Sequence, residues 1–320
     1  MYLSIGIPIY NEESSITNCL EHLQNATKSF KIHYYLCLNG CTDNSNVRIK
    51  QWMNKTKQLN YTLLYSTKGK TIAQNTIISA IRENGHSMDP VLFLDADVWV
   101  DELCVERLYT ELFRIKRLLV VGALTVPVNG KRRIRGSILN IRNKHPESEI
   151  SLYDVKEYKW YAYTYPQAET DPDWEIRSKI YFHGRCFMLK RAELFKMPDD
   201  NRVFDDTYIP NALHYEYGPG IIRTIYSAKV YYKAYESLVL HWRTYWRVYN
   251  DKAYIDKNYT HFQLFRKMEK TVLDKAYIRT LSTSERLLFL LYQLVIKTEE
   301  LSYRLLPLID AREIWSYKRK

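Results

Sequence analysis

Short apolar runs that each stop at a polar turn, separated by stretches of helical periodicity, constrain this chain more than any other feature. Leu3–Ile9 is such a run and ends at Pro8-Ile9-Tyr10-Asn11-Glu12-Glu13. Tyr34–Leu38 is a second, entering the turn-forming Asn39-Gly40-Cys41-Thr42-Asp43-Asn44-Ser45. Val91–Leu94 is a third, entering Asp95-Ala96-Asp97. Between the first two, Ile16, Leu20 and Leu23 recur at helical spacing. Asn11 is expected to cap that helix, with Glu12 and Glu13 at the positive end of its dipole. A further helix carrying Asn75 follows Lys68-Gly69-Lys70. Strands and helices alternating in this way form βαβ units and a mostly parallel sheet flanked by helices, an α/β fold.

In such sheets ligands bind beyond the carboxyl ends of the strands. Asp95 and Asp97 therefore stand where chemistry is expected, and two carboxylates make a hard, oxygen-rich corner suited to Mg²⁺ or Mn²⁺ against a diphosphate. The same tripeptide also suits a solvated turn. Asp43 reads more simply as a turn-former than as a ligand.

The order of the motifs resembles family-2 glycosyltransferases over about residues 3–250. The resemblance rests on Pro8-Ile9-Tyr10-Asn11-Glu12, Asn39-Gly40-Cys41-Thr42-Asp43, Gly69-Lys70 and Asp95-Ala96-Asp97 for the donor half. For the acceptor half it rests on His183-Gly184-Arg185-Cys186-Phe187-Met188-Leu189-Lys190-Arg191, on Phe204-Asp205-Asp206-Thr207 and on the late Arg243-Thr244-Tyr245-Trp246-Arg247. It implies a GT-A (Rossmann-like) fold and, as in most of the family, an inverting mechanism. It places Pro8, Tyr10, Glu12, Asn39, Lys70, Asp95, Arg243 and Arg247 on a nucleotide sugar. It puts a divalent metal, Mn²⁺ or Mg²⁺, on Asp97 and Asp95; His241 and His183 are candidates for a third ligand, and each also suits a hydrogen-bonded structural role. Asp206 matches the general base, and Asp205, where the family has Glu, is the neighbour able to substitute for it or tune it. Leu38 stands where the family's second motif has an acid that meets the nucleotide base, so a UDP-sugar is favoured only by family habit. Two adjacent acids repel, which raises one pKa toward the range useful for a base.

The resemblance divides the chain into a catalytic domain at 1–235, with a nucleotide-sugar half at 1–127 and an acceptor half at 128–235, and a helical extension at 236–320. The 46% hydrophobic content supports a core of that size, and five scattered cysteines suggest free thiols in a reducing compartment. With a first strand at the very start of the chain, a cytoplasmic location is expected, either free or peripheral at the inner membrane face. Leu287–Ile296 is shorter than the ~20 residues a bilayer crossing needs. It follows Ser282 and Glu285, spaced as a capping box, and reads as an amphipathic helix that packs on the catalytic domain or docks on a membrane or partner.

The net charge of +11 concentrates in Lys131-Arg132-Arg133-Ile134-Arg135 and Tyr317-Lys318-Arg319-Lys320. Tyr158, Trp160, Tyr161, Tyr163, Tyr165 and Trp174 lie in the stretch after the first of these and suit an acceptor-side insert stacking on sugar rings. The expected acceptor is a glycan, a lipid-linked intermediate or a protein, and no nucleic acid is expected. Two other classes meet the same sequence less well. A sugar nucleotidyltransferase would carry a Gly-rich phosphate loop after its first strand. A basic nucleic-acid or anionic-surface binding protein would have no use for an acidic pair at a strand end.

Overall fold

A computed structural model describes residues 2–56, 60–128, 182–199, 203–218, 220–233, 238–262 and 283–305. The basic runs at 131–135 and 317–320, the aromatic stretch at 158–174 and Ser282 lie outside them. Eight strands form one sheet in the order β3-β2-β1-β4-β7-β6-β8-β5. They are β1 (Tyr2–Ile9), β2 (Lys31–Asn39), β3 (Asn60–Ser66), β4 (Val91–Leu94), β5 (Val98–Val100), β6 (Val120–Val128), β7 (Cys186–Leu189) and β8 (Ile222–Lys233). The first four strands pair in parallel. Beyond them β7 runs antiparallel to both β4 and β6, β6 and β8 are parallel, and β5 closes the edge antiparallel to β8.

Flanking this sheet are α1 (Ile16–Ala26), α2 (Ser45–Lys55), α3 (Lys70–Glu83), α4 (Cys104–Arg114) and α5 (Asp205–Tyr217). Two long helices follow, α6 (Leu238–Asn258) and α7 (Thr283–Leu305). The α/β expectation holds, and so does its cause. Alternate residues of β1 and β2 are buried against opposite layers: Leu36 and Leu38 join α1 and α2 on one face, while Tyr35 and Cys37 join Ile77 and Ile81 of α3 on the other. A strand covered on both faces must be apolar almost throughout, which is why these runs read so clearly.

The start of α1 differs from expectation. The helix begins at Ile16 with Ser15 before it, not at Asn11, and no acid lies in its first turn. Asn11 sits in the left-handed region at φ 54°. Its side-chain oxygen accepts from the backbone N–H of Thr42 at 2.8 Å, while Ser45 Oγ and Asp43 Oδ2 accept from the N–H groups of Glu12 and Glu13. The loop after β2 thus captures backbone groups that a helix starting at Asn11 would have used. Asp43 also accepts from the Ser45 N–H at 3.0 Å, as a turn-former should.

The loops after β1, β2, β3 and β4 meet at one end of the sheet. Asn39, nearly fully buried, accepts from Gly69 N–H at 2.5 Å, and Gly40 N–H reaches the Ser66 carbonyl at 3.0 Å. These bonds fix the Lys68-Gly69-Lys70 loop and the first turn of α3 beside the end of β4.

Candidate active site

Pairing of β4 with β7 places Leu94 opposite Cys186, so Asp95 follows directly opposite the turn His183-Gly184-Arg185. Asp95 N–H donates to the Arg185 carbonyl at 2.9 Å and extends the ladder one step past the strands. Lys70, the first residue of α3, reaches across the strand ends. Its ammonium lies 2.7 Å from Asp95 Oδ1, 3.1 Å from Asp205 Oδ2 and 3.2 Å from the Gly184 carbonyl oxygen. One cation therefore joins the acid at the end of β4 to the acid at the start of α5.

Asp205 is held from every side. Gln74, one helical turn beyond Lys70, donates to Asp205 Oδ2 at 2.6 Å, and Asp206 N–H donates to Asp205 Oδ1 at 3.0 Å. Gly184 is the position through which these contacts pass. Its N–H points at Asp206 Oδ2 at 3.4 Å, and a Cβ there would lie 2.6 Å from Asp205 Oδ1. A side chain at 184 would force the Asp205 carboxylate to shift.

The electrostatics separate the groups. Burial works against the Lys70 charge, but the carboxylates of Asp205 and Asp95 outweigh it and hold the ammonium above its ordinary pKa. Burial raises Asp95, with Lys70 pulling the other way and Asp97 adding to the rise. Asp206 is pushed up to about 6, first by burial and then by the negative charge of Asp205, against the attraction of Lys70. A carboxyl poised there can hold or release a proton near neutral pH. His183 is driven the other way by burial and by the Arg185 guanidinium, which lies 2.6 Å from His183 Nε2. Arginine can only donate, so the imidazole is neutral and accepts through Nε2.

Helix α6 takes part as well. Arg247 on α6 stacks over the Phe204 ring at 4.5 Å, directly before the two acids. Asp251, one turn further, accepts from Phe204 N–H at 2.9 Å, and burial keeps its carboxyl well above the usual range. Thr71 Oγ1 donates to the Val203 carbonyl at 3.1 Å, tying the same segment to α3.

Of the residues expected in the site, the structure brings together Asp95, Lys70, Asp205 and Asp206, with Asp97 half-buried between β4 and β5. Asn39 and Pro8 are buried under it; Asn39 supports the Lys70 loop, and Pro8 pairs with Cys37 inside the sheet. Tyr10 lies beneath the Lys68 ammonium, 4.9 Å from its ring centre, and Glu12 accepts from Ser15 Oγ. Arg243 and Arg247 share α6 and are half-buried. His241 lies on the same helix, and its side chain is outside the described residues. Among the described residues no group of three or more His, Cys, Asp and Glu side chains is arranged to hold a metal ion.

Sequence reading missed Gln74 and Asp251. Each is one helical turn from a residue already singled out, Lys70 and Arg247, and that spacing was the available signal.

The fold is similar to that of a mannosyltransferase from Pyrobaculum calidifontis, solved in complex with GDP-Man and Mn²⁺. The TM-score is 0.56 at 15% identity, over 98% of this chain and 78% of that one. A glucosyl-3-phosphoglycerate synthase from Mycobacterium tuberculosis, solved with Mn²⁺ and UDP-Glc, has a TM-score of 0.43 at 14% identity, over 74% of this chain and 71% of that one. It is too distant to carry an argument. In sequence, the chain is 27% identical over 124 residues to glycosyltransferase GlyA of Streptococcus pneumoniae, a stretch of 38% of this chain but only 16% of that protein's length. The model of the Glycosyl transferase family 2 matches residues 4–192, from β1 to just past β7, and leaves Asp205, Asp206 and α5–α7 beyond the matched region. That match takes in more than half of the chain, and the chain belongs to glycosyl transferase family 2.

Proposed function

We propose that this protein transfers a sugar from a nucleotide-diphosphate sugar to an acceptor hydroxyl with inversion at the anomeric carbon, and that Asp206 is its general base. The observation that carries this reading is the Lys70 bridge. It sets the acid at the end of β4 and the acids at the start of α5 around one partly buried cation. A donor diphosphate and an acceptor hydroxyl need opposite services, charge neutralisation for one and proton removal for the other, and Lys70 links one acid of each pair.

Asp95 and Asp97 fit a divalent ion of the Mg²⁺ or Mn²⁺ type. Such ions take hard oxygen ligands and commonly use one or two carboxylates, with substrate phosphates and waters completing the shell. Two carboxylates with no third protein ligand among the described residues match that habit. When bound, the ion neutralises the departing diphosphate as a Lewis acid.

The chain's own residues supply the rest. Lys70 adds a fixed positive charge beside Asp95, and Arg247 and Arg243 bring further charge from α6. Asp206 accepts the proton of the acceptor hydroxyl as that oxygen bonds the anomeric carbon, and the C–O bond to the diphosphate breaks with its electron pair leaving on the diphosphate. Asp205, locked by Lys70, Gln74 and the Asp206 N–H, keeps Asp206 in place and its pKa high. The acceptor is a glycan, a lipid-linked intermediate or a protein.

The test is a transfer assay with UDP- and GDP-sugars on wild type, Asp97→Asn and Asp206→Asn, with donor binding followed separately. The reading requires that both variants lose turnover and that Asp206→Asn still binds donor. Turnover retained in Asp206→Asn would remove the base from this position.

A further inference from the structure

The last helix, α7, shows two different long faces. One is fastened to α6: Trp242 Nε1 donates to Ser302 Oγ at 2.9 Å, Tyr303 OH donates to the Trp242 carbonyl at 3.0 Å, and the Tyr303 ring packs on Trp242 and Tyr249. Glu299 and Tyr303 are buried there. On the other face Leu287, Leu290, Leu294, Leu301 and Leu305 are exposed by 59–78%. At 100° per residue these five fall in one row spanning roughly 60°, and the helix is about 34 Å long.

Arg286, Lys297 and Arg304 are also exposed and form a second row roughly 70° to one side of the leucines. Glu300 is exposed a little further round, beyond the basic row. An apolar row bordered by cations is the pattern of a helix that lies in the plane of a bilayer interface. No described helix is long and apolar enough to cross a membrane, so the arrangement suits lying on the surface.

We propose that the exposed face of α7 docks on an anionic lipid bilayer, with the leucine row at the acyl boundary and Arg286, Lys297 and Arg304 on the headgroups. Charge selects this occupant over a second copy of the chain. Two such faces packed antiparallel about a two-fold axis would bring their basic rows side by side, whereas the basic row and the net charge of +11 both complement an anionic surface. The proposal is independent of the catalytic reading.

The experiment is flotation of the full chain with phosphatidylglycerol–phosphatidylcholine vesicles and with phosphatidylcholine alone, at low and high salt. Two variants are run beside it, Leu290→Ser/Leu294→Ser and Arg286→Gln/Lys297→Gln/Arg304→Gln, each checked by circular dichroism and by light scattering on a sizing column. Wild type is expected to float with the anionic vesicles and not with phosphatidylcholine alone. The basic-row variant is expected to lose about a hundredfold in partition, from about fivefold per charge. The leucine variant is expected to lose at least tenfold. Four results would overturn the proposal. They are no flotation of wild type, equal binding to both vesicles, unchanged flotation of the folded leucine variant, or a wild-type dimer that the leucine variant converts to monomer. The last would assign the face to a second copy.

Discussion

Asp206 carries two opposed demands in one side chain. Its carboxyl is pushed up to about 6 by burial and by Asp205, so the folded protein binds that proton more tightly than the unfolded chain, whose Asp titrates at about 3.9. The native state therefore gains from Asp206 below about pH 4, and the gain disappears as pH rises through 6. The base role proposed for Asp206 needs the deprotonated form, so kcat/KM is expected to climb with an apparent pKa near 6 while this group's support for the fold declines. Asp206→Asn separates the two effects. It is expected to lower turnover by ~10²–10⁴-fold, yet to melt higher than wild type at pH 7.5, with the difference closing as pH falls below about 4.5. Paired pH–rate and pH–melting curves check it. A variant that melts lower than wild type at every pH would mean that the carboxylate is a structural acceptor, not a strained base. Gly184 is the complementary case. Gly184→Ala puts a methyl group within contact of Asp205 Oδ1, and its activity in the transfer assay is expected to fall because the Asp205 carboxylate must shift, although Asp206 is unchanged.

At the level of helices and strands, α3 is the element on which the site turns, because its first two turns supply Lys70 and Gln74 to Asp205 at the start of α5 and Thr71 to Val203 just before it. Lys70→Met leaves Asp95 and Asp205 facing each other without their cation. Removing one partner from a fully buried pair costs about 3–5 kcal/mol. Lys70 and Asp95 are each about a quarter exposed, so about 1–3 kcal/mol is expected here, read as a lower denaturant midpoint at neutral pH. The variant should also recover stability at low pH, where the two acids become neutral; a loss of equal size at all pH values would argue for lost packing instead. How much of this could be read in advance follows from range. β1, β2 and β4 were plain because both faces are buried and the runs are apolar. β3 was not read: its exposed Tyr61 and Tyr65 and half-buried interior break the pattern of a covered strand. The start of α1 was misplaced because Asp43 and Ser45, some 30 residues away, compete for the backbone of Glu12 and Glu13, and local capping rules do not see them. Asp205 and Asp206 were legible as a pair, but their link to Lys70 depends on β7 returning antiparallel beside β4, which no local pattern encodes.

For the whole molecule, the sheet brings together groups far apart in sequence, and α6 fastens the end of the described chain to them through Asp251 and Arg247. A ligand held by Asp95, Asp97 and Lys70, as proposed, would engage β4 and α3, and the Lys70 bridge ties both to α5, so its binding should register in global unfolding. Ligand that binds only the folded state stabilises it by about 2.7 kcal/mol at a hundred times Kd. Melting curves with UDP and GDP, each with and without Mn²⁺, are therefore expected to show one nucleotide raising the melting temperature by several degrees, and only with the metal. Asp97→Asn should abolish the metal-dependent part of the shift, measured against the melting temperature of the ligand-free variant. A shift of equal size in Asp97→Asn would move the ion elsewhere. A shift with nucleotide that ignores Mn²⁺ would leave Lys70, Arg243 and Arg247 as the groups that neutralise the diphosphate, and the acidic pair would then serve the sugar or the loop.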